Sequence, residues 1–156
     1  MTASGWQVDA RLASFGDDIF QDLSGRAAVY TTMWSLKEIA IPHDLYQRIM
    51  AIMGDNTGRV SCSIRERLPD FVIKLGTDDR VFDFALDPWE YILDDRDASG
   101  NCSHLLLDAE DFGNDAGPNN VVLLGTTFLG WFYHIFDADS KTITGEAHRG
   151  LFPKVS

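Results

Sequence analysis

The sequence predicts an all-β protein with one or two short helices, and three observations lead there. Apolar segments are short and end on turn residues, such as Gly16-Asp17-Asp18 and Gly76-Thr77-Asp78-Asp79. Several of them alternate apolar and polar types with a period of two, the pattern of a half-buried strand. A sustained helical period appears clearly in one place, near residues 44–53.

Taken in order, Trp6, Val8, Ala10 and Leu12 alternate with Gln7, Asp9 and Arg11, which predicts a strand closed by the turn at Gly16. Leu45, Ile49 and Ile52 or Met53 recur at spacings of three and four, which predicts a helix over 44–53 that stops at Gly54. The apolar run Phe71 to Leu75, the turn residues 76–79 and the alternating segment Arg80 to Leu86 predict a hairpin, with Phe82, Phe84 and Leu86 on one face. Asp87-Pro88-Trp89-Glu90-Tyr91 reads as a helical turn, Asp87 capping and Pro88 in first position. Asp108 to Asn120, rich in Asp, Gly, Asn and Pro, reads as a surface loop. The apolar pair before Gly125 suits a buried strand that turns there, and Phe132, His134 and Phe136 alternate with Trp131, Tyr133 and Ile135, which predicts a strand apolar on both faces.

Composition bounds the function. A chain of 156 residues makes one compact domain, and 45% hydrophobic with 24% charged residues excludes a disordered or fibrous protein. With 13 basic against 24 acidic residues the net charge is −11, a field that repels nucleic acid and anionic membranes, so neither is expected as a partner. No apolar run reaches about 18 residues, so no transmembrane helix is expected. Residues 1–20 lack a basic start followed by an apolar stretch, so no secretory signal is expected in them. Cys62 and Cys102 cannot complete a zinc site alone, and His43, His104, His134 and His148 stand without a carboxylate at metal spacing, so neither a metal nor another cofactor is expected. Asp94-Asp95-Arg96-Asp97 and the acids of 108–115 lack the spaced pattern of a calcium loop and read as solvated. Trp89 and Tyr91 read as packing residues.

Four stretches, in order, resemble the C-terminal lobe of pepsin-like aspartic proteases. They are Trp6-Gln7-Val8; Val60-Ser61-Cys62-Ser63 with Leu68-Pro69-Asp70-Phe71-Val72-Ile73; Leu86 to Leu93 with Asn101-Cys102; and Val121 to Asp137 continued by Ile143-Thr144-Gly145-Glu146-Ala147. The last is similar to the family's Ile-Leu-Gly-Asp-x-Phe-Leu-x-x-Tyr-x-x-Phe-Asp segment, with Thr126 in place of the usual Asp. The resemblance implies a single lobe of the pepsin-like β-barrel fold over 1–156, its core at about 6–147 and a short tail at 148–156. It also implies a disulfide between Cys62 and Cys102, and a partner for a lobe that would otherwise expose apolar surface, either a second copy or a separate N-terminal lobe.

Peptide hydrolysis in this family needs an aspartate from each lobe, the two sharing a proton, each in an Asp-Thr/Ser-Gly turn. The turn is expected between the first strand and Pro42, where Ala27 to Pro42 contain neither Asp nor Gly. Counting forward from Val29 puts Tyr30 at the acid's position, and counting back from Pro42 puts Met33 there; both remove the carboxylate. Glu38 is the sole acid of the window, and no Asp-Thr-Gly or Asp-Ser-Gly tripeptide occurs anywhere in the chain. No catalytic residue is assigned, and an aspartic peptidase is not expected. Tyr30, Thr31, Thr32, Met33 and Trp34 offer an aromatic, hydroxyl and thioether lining for a remodelled pocket. The expected function is a non-proteolytic lobe that binds a protein, a peptide or a hydrophobic small molecule. Two alternatives stand beside it: a repurposed cyclase or isomerase using the same pocket, and a structural subunit paired with a separate lobe. The cysteine pair points to a secreted protein, whereas the lack of a signal sequence leaves the cytoplasm open.

Overall fold

The computed structural model describes residues 5–31, 38–54, 58–111, 121–137 and 142–147. Eleven strands and three α-helices are arranged along these residues: β1 Gly5–Phe15, β2 Ile19–Thr31, β3 Ile39–Ile41, α1 His43–Met53, β4 Arg59–Ser61, β5 Phe71–Thr77, β6 Arg80–Leu86, α2 Pro88–Tyr91, β7 Asn101–Ser103, β8 Leu106–Asp108, β9 Val121–Leu124, α3 Thr126–Trp131, β10 Phe132–Asp137 and β11 Thr142–Ala147. The protein is therefore all-β with short helices, as the turn-punctuated sequence predicts. Seven strands form one mixed sheet in the order β6-β5-β1-β2-β9-β3-β8, while β10 pairs with β11 and β4 with β7.

Local chemistry explains the elements. Gly76 adopts φ +138°, and a Cβ there would meet the Arg80 carbonyl oxygen at 2.1 Å, so only glycine fits the tip of the β5–β6 hairpin. Gly54 ends α1 in the left-handed region, its N–H returning to the Met50 carbonyl. Asp87 caps α2 by accepting the Trp89 and Glu90 N–H groups, and Glu90 in return accepts the Asp87 N–H at 3.1 Å. Tyr91 is fully buried against Phe15 and donates its hydroxyl to the Pro69 carbonyl at 2.6 Å, which ties the Leu68-Pro69 turn to the core; burial pushes its phenol far up. Cys62 and Cys102 are joined in a disulfide across the β4–β7 pair, as the resemblance implies.

Four details depart from the sequence reading. The strand beginning at Trp6 continues to Phe15, and a bulge between Ala10 and Leu12 inserts one extra residue. The buried set thus changes phase, from Ala10 to Ala13 and Phe15, and Leu12 leaves the core face. Asp108 and Ala109, at the start of the expected surface loop, are instead buried because β8 runs in parallel beside β3 and carries them inward; residues 112–120 lie outside the described part. Thr126–Trp131 form a third helix after Gly125, burying Phe128 edge-on against Phe84 at 5.5 Å. Trp89 is 61% exposed rather than packed inside, and the buried Arg65 guanidinium lies over its ring at 4.9 Å.

The acidic loop of residues 94–97 is a structural staple. Asp95 accepts the Ser103 hydroxyl and its N–H, and Asp97 accepts the N–H groups of Asn101 and Ser99. Arg59 binds Asp97 through Nε and the carbonyls of Asp95 and Asn101 through its terminal nitrogen. The Ser103 hydroxyl, followed by the Ser103 N–H, holds the Asp95 carboxyl below its ordinary value of 3.8; the Asn101 N–H does the same for Asp97. A carboxyl with a depressed folded pKa stabilises above its unfolded pKa, and that contribution is lost as pH falls through the folded value. Stability measured by denaturant titration from pH 6 down to pH 2.5 should therefore fall less steeply below pH 4 in Asp95→Asn than in the native chain; identical acid limbs would contradict this role.

Candidate functional site

β9 is the hinge of the architecture. It runs parallel to β2, with Val29 opposite Leu123 and Tyr30 opposite Leu124, and antiparallel to β3, with Ile39 opposite Leu124. Val122, Leu123 and Leu124 are buried, on both faces of the strand. Val122 and Leu124 enter the main core, whereas Leu123 packs with Ala40 and Ala109 on the other side, against Val29 and Leu107. This explains the unbroken apolar run before Gly125. The end of β2 and the start of β3 thus flank Leu124 on opposite sides. Gly125 follows β9 and donates its N–H to the Glu38 carbonyl at 2.9 Å.

The segment Tyr30 to Trp34 starts at the end of β2. Tyr30 and Thr31 close β2, their side chains lying outside the described part, and Thr32, Met33 and Trp34 lie outside it altogether. Glu38 stands next to β3 rather than at the end of β2. His134 lies in β10 opposite Gly145, its side chain outside the described part, as is all of His148. His104 is buried, bridges to Ile92, and its Nδ1 accepts the Leu106 N–H at 3.3 Å; it is an internal packing histidine.

A second cluster, which spacing along the chain did not reveal, forms at the opposite end of β3. Pro42 follows β3 and starts α1, so His43 occupies the first helical position, while β8 ends at Asp108 opposite Ile41. His43 Nδ1 lies 2.6 Å from Asp108 Oδ2 and 2.9 Å from Glu110 Oε2. The ligand-type atoms of all three residues lie within 4.8 Å of one another. The Asp108 hydrogen bond, reinforced by the charges of Asp108, Glu110 and Asp44, raises the His43 pKa above its ordinary 6.5. The signal was absent from the sequence because 65 residues separate His43 from Asp108, and only the parallel β3–β8 register joins them.

The order of strands and turns, the disulfide and the apolar strand ending at Gly125 agree with the family that the four sequence stretches resemble. No curated protein matches the chain. A family model described as eukaryotic aspartyl protease matches residues 2–147, nearly the whole sequence. The chain belongs to the eukaryotic aspartyl protease family.

Proposed function

We propose that this chain is a non-proteolytic member of its family that holds a protein segment, peptide or hydrophobic small molecule in the cleft where its relatives carry their acid. The observation that carries this reading is the sequence between β2 and β3, which contains no Asp and no Gly between Thr31 and Glu38. Without a carboxylate there, the shared-proton dyad cannot form and water is not activated. Tyr30, Thr31, Thr32, Met33 and Trp34 supply apolar area with a few hydrogen-bonding groups, the mixture that suits a ligand pocket. The Cys62–Cys102 disulfide supports a binder acting in an oxidising compartment over a repurposed cyclase of the cytoplasm.

Binding to a panel of apolar decapeptides, followed by fluorescence anisotropy, tests the pocket. The native chain should retain a subset of the panel, and Trp34→Ala should weaken those peptides by about tenfold, the loss of one aromatic contact of about 1.4 kcal/mol. Equal binding by native and variant chains would remove Trp34 from the site.

A further inference from the structure

We propose that His43, Asp108 and Glu110 form a site for a borderline divalent cation, best matched by zinc. One imidazole and two carboxylates are donors that zinc accepts, and three protein ligands leave a fourth position for water. Two carboxylate oxygens converge on a single ring nitrogen, at 2.6 and 2.9 Å. The one proton on Nδ1 can be given fully to only one of them, whereas a metal in its place would serve both. The Asp108 side chain is only 9% exposed, and among the described residues no lysine or arginine pairs with it or with Glu110. Asp44, the next residue of α1, adds a third acidic charge to the field at His43. The cluster is thus an excess of negative charge with one imidazole at its centre, in need of a cation.

The supporting geometry is in place. Asp108 Oδ1 accepts the Glu110 N–H at 3.0 Å, which fixes the carboxylate and aims its other oxygen at His43. Ligand atoms around tetrahedral zinc stand about 3.3 Å apart, given bonds of about 2.0 Å. For the two distances to Nδ1, reaching that spacing takes an opening of less than about 1 Å, which the 57%-exposed Glu110 side chain and the 38%-exposed imidazole can provide. On binding, Nδ1 gives its lone pair to the metal and the ring carries its one hydrogen on Nε2; an imidazolium reaches that form by losing its Nδ1 proton to solvent, and a neutral ring protonated on Nδ1 reaches it by shifting that hydrogen to Nε2 through solvent. No bond is oxidised or reduced.

Isothermal titration of the chelator-treated full chain with zinc chloride at pH 7.5, in two buffers of different ionisation enthalpy, tests the site. The expected result is one equivalent bound, with the same stoichiometry in both buffers, and a weakening of at least about tenfold in both His43→Ala and Glu110→Gln. Glu110 is exposed, so Glu110→Gln should retain the fold, which far-ultraviolet circular dichroism would verify. Cobalt(II) should give the visible absorption of a four-coordinate centre in the native chain and lose it in both variants. Absence of stoichiometric zinc binding, or unchanged affinity in folded Glu110→Gln, would overturn the assignment.

Discussion

Replacing both Cys62 and Cys102 by alanine should lower the unfolding free energy by about 4 kcal/mol, a large share of the roughly 5–15 kcal/mol typical of a domain. The disulfide closes a loop with a sequence separation of 40, and the unfolded chain regains that loop's freedom once the link is gone. Packing works in the same direction. Both half-cystines are buried, Cys102 completely, in the core that also contains Val60, Tyr91 and Ile92. Arg65, itself buried, lies with a terminal nitrogen 3.6 Å from Cys102 Sγ and also donates to the Leu93 carbonyl, so the link borders the turn that leads out of α2. Guanidinium titrations of the native and doubly substituted chains would read the difference directly. A midpoint that does not move would mean that the β4–β7 pair holds its place without the covalent link.

Phe128→Ala should cost about 3–5 kcal/mol. Phe128 has no solvent exposure, and its ring meets Phe84 at 5.5 Å in an edge-on arrangement. It is the anchor that seats α3 on β6, and hence the step by which the chain passes from β9 to the β10–β11 hairpin. Truncation leaves a cavity between α3 and β6 that the packed surroundings fill only in part, whereas Phe128→Leu keeps most of the volume and should cost about 1.5 kcal/mol or less. Thermal unfolding of both variants tests this; equal losses would show that the aromatic ring, rather than the filled volume, is what the site requires.

Much of the fold was legible because it rests on local chemistry. The β5–β6 hairpin follows from alternation and a turn built on Gly76, α1 from its apolar spacing and Gly54, and α2 from Asp87 and Pro88. What local chemistry cannot announce is a change of register or a meeting at long range. The bulge at Ala10–Leu12 moves Ala13 and Phe15 into the core although the preceding alternation points to Leu12. Asp108 reads as a loop acid until the parallel pairing with β3 buries it. Likewise, His43 gains its two carboxylates from a strand and turn far along the chain. For the candidate pocket, the residue types from Tyr30 to Trp34 are read directly, and the sheet order adds only that β2, which ends at Thr31, lies beside β9.

The proposed loss of the acid turn means that the chain should not hydrolyse peptides. The most direct measurement is incubation of the purified chain with an acid-unfolded protein substrate between pH 3 and pH 6, with and without a transition-state peptide inhibitor of aspartic proteases. The account predicts no inhibitor-sensitive cleavage at any pH in that range; cleavage that the inhibitor abolishes would contradict it.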